Sequence, residues 1–422
     1  MARNKKSANR VRNYVLMCSL FGILLIVGTY AWFIGMESVS VSAFYVKIAA
    51  AEGIALSLDG EEWYEDADHQ LDVSTAKQYA GNTNTWAENG LIPMTTVGDT
   101  DTNSSRMILF EKASLTATKG GYRLLASRVN NYKKLATNNE KLEQGEGYVA
   151  FDLFIRNKSG EEYYATNNPL NEEAIYLTTD SKVTVSETGG VAGTGIENSV
   201  RVGFMQVGRV EQDGAKASDI TAITCKDVTS ADGVKTTTGI CRTATIWEPN
   251  DIDHVQNAIN WYKEACNKRT GATVSDDNSY TADACKTIAD GTAYSTYAVA
   301  NELAVGSNVD VYDGLVYNYY DKSYVTAETY FGEGYTKTNA KLVEMDYFTD
   351  TEKAYTGVNR PTFMTLAPNS ITKVRVYIWI EGQDIDNYDF SSLGKQISVQ
   401  FGFTKERFEQ SEIIEPVATP TV

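Results

Sequence analysis

Imidazole chemistry is limited here to two histidines, His69 and His254, far apart in the chain. No H-E-x-x-H sets two of them on one helical turn, so a zinc protease lacks its ligands. No G-x-S-x-G elbow and no phosphate-binding P-loop occurs. A Ser–His–Asp site would have to recruit one of these two residues, and nothing beside either of them supports that. Each histidine reads as a surface or capping residue. The chain is therefore not expected to be an enzyme, and no cofactor is expected.

The run most like a metal loop is Asp384-Ile385-Asp386-Asn387-Tyr388-Asp389. Asp384, Asp386, Asn387 and Asp389 offer oxygen ligands close together, which is Ca²⁺ chemistry. The run lacks the central Gly and distal Glu of an EF-hand loop, so it reads first as a solvated acidic turn. Asp276-Asp277-Asn278 is a weaker version of the same signal.

Five cysteines are present. Cys18 lies in an apolar run, with Met17 where a lipoprotein signal needs a small residue. Cys225, Cys241, Cys266 and Cys285 cluster downstream, too widely spaced for zinc knuckles, whose pairs stand roughly two to four residues apart. An even set in an exported chain reads as disulfides. Cys225 and Cys241 flank Asp232-Gly233 symmetrically, so a hairpin turn there would pair them. Cys266–Cys285 follows as the second bond, although sequence leaves the crossed connectivities open. The many tyrosines, among them Tyr312, Tyr317, Tyr319, Tyr320 and Tyr324, read as strand residues first and as a recognition surface second.

The elements that carry these residues are mostly strands. Ser38 to Leu58 alternates in two pieces, broken near Glu52-Gly53, and Asp59-Gly60 is a turn signal. Glu61–Ser105 is polar without a sustained period and reads as an excursion from the core. Strands are expected at Met107–Thr118, Gly121–Leu125, Tyr148–Arg156, Ile175–Val185 and Ser199–Val210. Lys373–Ile380 alternates Val374, Val376, Ile378 and Ile380 with Arg375, Tyr377 and Trp379. Gln396–Thr404 alternates Ile397, Val399, Phe401 and Phe403 with Ser398, Gln400, Gly402 and Thr404. Such alternation buries one face and wets the other. One helix is expected after Pro249-Asn250-Asp251, carrying Ile252, Val255, Ile259, Tyr262 and Cys266 on one side. The fold class is all-β, a jelly-roll-like β-sandwich with a mixed α/β disulfide-bearing insertion. Residues 34–405 form the sandwich, with insertions near 59–106 and 211–300, and 406–422 a disordered tail.

The first 33 residues bear on location. Arg3, Lys5, Lys6, Arg10 and Arg12 precede an apolar run from Tyr14 to Phe33. At about 1.5 Å per residue that run just spans a hydrocarbon core of roughly 30 Å. The basic flank keeps the N-terminus in the cytoplasm, and the rest of the chain is exported. The run is either a cleaved signal or a retained anchor helix. The whole chain carries −17 at pH 7, and without the five N-terminal cations the exported part carries −22, so it repels nucleic acid.

Gly28-Thr29-Tyr30-Ala31-Trp32-Phe33, at the end of this run, resembles the processing region of exported proteins cut by the SipW-type signal peptidase. That group includes the TasA- and camelysin-like biofilm-matrix proteins of Gram-positive bacteria. The segments 243–250 and 376–384 resemble parts of exported relatives. The likeness implies a jelly roll, secretion, and assembly into extracellular fibres by N-terminal strand donation, with the chain itself or other matrix and surface proteins as partners. Camelysin relatives are described as metallopeptidases, a role for which this sequence offers no metal motif. The assembling strand would be Ser38–Ile48, with Val39, Val41, Ala43 and Tyr45 on one face. The alternative is a membrane-anchored extracellular binding module, an adhesin or glycan binder.

Cleavage is expected at Ala31 or Trp32, because Ala31 is the slim residue a signal peptidase needs at the end of the apolar run. Intact mass of the native protein tests this, and a chain retaining Met1 to Phe33 would refute it.

Overall fold

A strand that carries charge among apolar residues must find the opposite charge before it can be central. In this chain the long apolar strands Val149–Asn157, Val200–Glu211 and Ser370–Glu381 lie side by side. Asp152 of the first meets Lys373 and Arg375 of the third, and Arg201 and Arg209 of the second find carboxylates outside the three. The structure is a computed structural model. It describes residues 40–48, 53–65, 70–73, 79, 84–86, 90–118, 121–128, 147–160, 162–187, 189–260, 289–293, 296–299, 304–305, 315–318, 323–326, 342–382, 384–388 and 396–405. The chain divides between Glu37 and Ser38. The first unit lies outside the described residues, as does 406–422.

The principal strands are β1 (Ser40–Ile48), β2 (Ile54–Ser57), β3 (Gln70–Asp72), β4 (Pro93–Thr95), β5 (Val149–Asn157), β6 (Glu173–Leu177) and β7 (Lys182–Val185). They continue with β8 (Val200–Glu211), β9 (Val228–Thr229), β10 (Lys235–Gly239), β11 (Thr245–Glu248), β12 (Met364–Leu366), β13 (Ser370–Glu381) and β14 (Gln396–Thr404). The described chain is mostly β-sheet with few helices, as the sequence pattern predicts. Among the described residues α-helical backbone is found at Ala217–Thr221, Asp350–Lys353 and 256–260, the last running to the end of its described stretch.

The smaller sheet runs β12-β6-β14-β1-β3, with β7 also paired to β14. The larger sheet is centred on β13, antiparallel to β5 on one side and β8 on the other. Beyond these lie β2 on β5, and β10 and β11 on β8. One core draws from both sheets. It takes Phe151 and Leu153 from β5, Phe204 from β8, Val376 and Ile378 from β13, and Val399, Phe401 and Phe403 from β14. Phe204 meets Phe363 edge-on at 4.8 Å between ring centroids and Phe401 at 5.4 Å. Each such ring contributes about 1.5–3 kcal/mol by leaving water.

β14 follows its expected alternation, with Ile397, Val399, Phe401 and Phe403 buried and residues such as Ser398 and Gln400 partly exposed. β13 does not, because all 12 of its residues are buried. Its second face is covered by Ile92, Met94, Met107 and Leu109, and by Ile220 and Ile223. The stretch expected to be an excursion thus contributes Ile92 and Met94 to a second core. The physical reason is Tyr377 and Trp379, whose large apolar area needs cover. β4 even extends the sheet, pairing in parallel with Ile380 and Glu381.

Charge on that covered face is neutralised in place. Arg375 stands opposite Asp152 in the ladder, with Nη1 3.0 Å from Oδ1. Lys373 Nζ lies 3.2 Å from Oδ2, and the Tyr79 hydroxyl donates to the same oxygen. Burial alone would raise the Asp152 pKa, but Arg375, Lys373 and Tyr79 hold it below the usual carboxylate range.

Two further expectations are corrected. Ile175–Val185 is two strands, because a turn at 179–180 interrupts it. The helix does not start at Pro249-Asn250-Asp251. Asn250 takes a left-handed φ of 56°, its side chain bonds Val183 O, and Ile252 is exposed; helical backbone begins at 256.

Replacing Arg375 by Met should cost about 3–5 kcal/mol in denaturant unfolding, because Asp152 is left under-compensated. Adding Asp152→Asn should recover part of that loss. A single-variant loss of less than about 1 kcal/mol would show the pair to be dispensable.

Candidate functional site

The residues expected to drive assembly lie on β1. Its neighbour β14 runs parallel to it, with Ser40 opposite Gln396 and Ile48 opposite Phe403. The first and last described strands of the second unit are therefore neighbours. On its other side, among the described residues, β1 meets β3 through Tyr45, Val46 and Lys47. Val41 stands opposite Ile397, whereas Ala43 and Tyr45 stand opposite Ser398 and Gln400. A register shift between Val41 and Ala43 accounts for the change. The extra residue of a bulge breaks the period of two, so these residues do not form the single row expected. Phe44, Val46 and Ile48 hold the positions opposite Val399, Phe401 and Phe403, the buried row of β14. Val39 lies outside the described residues, as do the cleavage candidates Ala31 and Trp32.

Cys225 and Cys241 are joined, with a Cα–Cα distance of 5.3 Å. The local sequence makes this pairing: β9 and β10 form the hairpin, and Gly233 takes the left-handed φ of 84° that its turn requires. Cys266 and Cys285 lie outside the described residues. Tyr317 and Tyr324 stand opposite each other in a short hairpin, and Tyr312, Tyr319 and Tyr320 lie outside the described residues.

The acidic run after β13 is not a solvated turn. Asp384 Oδ2 receives Arg201 Nη2 at 2.5 Å, and Glu248 on β11 receives the same guanidinium. The Thr296 hydroxyl lies 2.9 Å from Arg201 Nη2 and 3.2 Å from Glu248 Oε1. Arg201 Nη1 donates to the carbonyls of Asn198 and Val200. Asp384 Oδ1 caps the turn by accepting from the backbone N–H of Asp386 at 2.8 Å.

Asp386 in turn holds His254, which is buried rather than on the surface. Asp386 Oδ2 lies 2.7 Å from Nδ1, and the Thr292 carbonyl lies 2.8 Å from Nε2. Both ring nitrogens face acceptors, so neither is left to act as a general base on a substrate. Asp384 and Asp386 are thus committed to protein cations. Asn387 donates its backbone N–H to the Asp384 carbonyl, and Asp389 lies outside the described residues. Among the described residues no three His, Cys, Asp or Glu side chains gather as a metal site.

A second buried network joins the sheets elsewhere. The Glu172 carboxylate receives Arg209 and a two-pronged Arg242, both of whose contacts are 2.8 Å. Burial works to raise its pKa, and these guanidinium contacts with the Thr365 hydroxyl bring it down overall.

No family model, curated protein or solved structure matches the chain. Among the described residues no helix is long and apolar enough to cross a membrane; the Tyr14–Phe33 run lies outside them.

The acid cluster gives a pH dependence. Burial raises the Asp386 carboxyl to about 6, and burial raises Glu248 to about 7 despite Arg201. Burial acts to lower His254, but the hydrogen bond and charge of Asp386, with Asp384 behind it, raise it overall. All three folded values lie above their unfolded ones, so the native state holds extra protons. Their contribution is complete below the unfolded values and is lost as pH rises through the folded ones. Asp152, Glu172 and Glu173 act oppositely, and their contribution fails only as pH falls below the ordinary carboxylate range near ~4. The denaturant midpoint should therefore fall between about pH 5 and about pH 8. Glu248→Gln should flatten that slope, and a midpoint that rises over the interval would contradict the assignment.

Proposed function

We propose that this chain is an exported structural protein of a cell surface or extracellular matrix, a jelly-roll-like sandwich whose first strand joins one subunit to the next. The observation that carries this reading is the parallel pairing of β1 with β14. Strand addition uses backbone hydrogen bonds for affinity and alternate side-chain positions for register. β1 begins just after the division of the chain at Glu37, so its release disturbs no strand before it in that unit. The same register with Gln396–Thr404 can be made by a β1 from another copy. Both arrangements form the same ladder bonds.

The N-terminal charge and hydropathy pattern supports export, in the manner of a Gram-positive-type bacterium. The resemblance of residues 28–33 to SipW-processed, TasA- and camelysin-like proteins points the same way. Signal peptidase would then be the first partner, and further copies of the chain or other matrix proteins the next. The disulfide Cys225–Cys241 fits an oxidising location outside the cytoplasm.

The test uses the mature chain on a sizing column over a range of concentrations. Wild type should form multimers. Val41→Pro removes a ladder donor and opposes strand pairing, so it should remain folded by circular dichroism yet elute as a monomer. A wild-type chain that stays monomeric at high concentration would refute assembly. Together with a retained Tyr14–Phe33 run, that result would leave the membrane-anchored binding module, an adhesin or glycan binder.

A further inference from the structure

We propose that Lys405 and Asn157 are joined by an intramolecular isopeptide bond, formed with Glu173 as the proton carrier. Lys405 directly follows β14, Asn157 ends β5, and Glu173 begins β6. Lys405 Nζ lies 2.6 Å from Asn157 Oδ1 and 2.8 Å from Glu173 Oε2. Asn157 Nδ2 lies 2.8 Å from that same carboxylate oxygen. An amine, the amide it can attack, and one carboxylate oxygen touching both nitrogens are thus already assembled.

The surroundings fix which way the amide points. Asn157 is fully buried, and its Nδ2 donates to the Ala367 carbonyl at 3.0 Å. Its Oδ1 accepts from the Ser159 backbone N–H at 3.2 Å and from Ser159 Oγ at 2.6 Å. A flipped amide would set its NH₂ against the Ser159 N–H and Lys405. The Ser159 backbone N–H also lies where negative charge develops when an amide carbonyl is attacked, which is the requirement for an oxyanion site, while the Ser159 hydroxyl, with one proton, is shared between Asn157 Oδ1 and Glu173. Ser159 Oγ lies 2.8 Å from Lys405 Nζ as well, so the hydroxyl holds the nucleophile beside its target.

The chemistry balances without an oxidant or cofactor. The Glu173 carboxylate takes a proton from the Lys405 ammonium, leaving a neutral amine. The amine lone pair forms a bond to Asn157 Cγ, and charge moves to Oδ1. Glu173 passes its proton to Nδ2 and takes the surplus proton from Nζ. Collapse of the intermediate breaks the Cγ–Nδ2 bond and releases ammonia, which takes up that last proton. One ammonium and one primary amide become one secondary amide and one ammonium ion. Burial works to raise the Glu173 pKa, while hydrogen bonds from Lys405, Ser159 and Asn157 lower it overall and keep it as the carboxylate that accepts the first proton. Its side chain is 41 % exposed, which gives ammonia a way out. Holding amine and amide in contact replaces an encounter with an effective concentration of about 10⁵–10⁸ M, the origin of speed in such intramolecular reactions.

The bond would tie the end of the last strand in the smaller sheet to the end of β5 in the larger one. This holds whether or not subunits assemble through β1. The test is mass spectrometry of the purified full-length chain, digested after denaturation and reduction. The expected product is a branched peptide containing Asn157 and Lys405, lighter than the sum of its two arms by one ammonia. Lys405→Arg and Glu173→Gln should each give the unlinked peptides at full mass and unfold at lower urea than wild type. An ordinary ion pair would change the urea midpoint without changing any mass. Separate, full-mass Asn157 and Lys405 peptides from folded wild type would overturn the proposal, and a link surviving in Glu173→Gln would overturn the role given to Glu173.

Discussion

Burial of β13 on both faces is the constraint from which the rest of the architecture follows. A central strand that carries Lys373 and Arg375 must be neutralised from within its own sheet, and Asp152 on β5 does so from the position opposite Arg375. Such a buried set adds little stability over apolar residues of the same volume. Its effect is on register. A slip of one residue would bring Asp152 opposite Val374 or Val376, on the face that packs against β14, and would strand a carboxylate in the phenylalanine core.

Polar networks also stand near both ends of this strand. Beside Glu381, Arg201 gathers Glu248 and Asp384, and His254 is held by Asp386. At the Ser370 end, Asn157 is the register partner of Ser370 and meets Glu173 and Lys405. The apolar faces therefore supply the driving force, and the charged residues fix where each neighbouring strand stops. Each network joins segments distant in sequence, so none of them can form before the sheet is nearly complete.

The same distinction decides what could be read from the sequence. Gln396–Thr404 is legible because one of its faces stays partly wet, which preserves the alternation. Ser370–Glu381 looks alike and is not, because part of its cover comes from Ile92 and Met94 in a stretch with no period of its own. Tyr377 and Trp379 were the available signal, since such large side chains on a supposedly wet face need a partner. The Cys225–Cys241 bond is legible because a local turn makes it. His254 is not, because Asp386 reaches it from 132 residues away. The few charges in VAFDLFI, SVRVGFM and KVRVYIWI are the sequence trace of the buried networks. Asp152 in the first and Lys373 and Arg375 in the third are opposite in sign on neighbouring strands and could have been matched; Arg201 finds its partners elsewhere. Nothing in composition marks the bulge between Val41 and Ala43.

Parallel neighbours require a crossover, and between β1 and β14 the crossover is the remainder of the folded unit. The closing entropy of so long a connection grows only slowly with its length, so the pairing is tolerable within one chain. In the proposed assembly the β1 of another copy would meet the same edge of β14 with the same register. What differs between the two strands is how each is held. β14 is bound on its other side by β6 and β7, and Lys405 just beyond it is tied to Asn157 and Glu173. Among the described residues β1 pairs with β3 besides β14. If subunits add head to tail as proposed, β14 is the strand that receives and β1 the strand that is given.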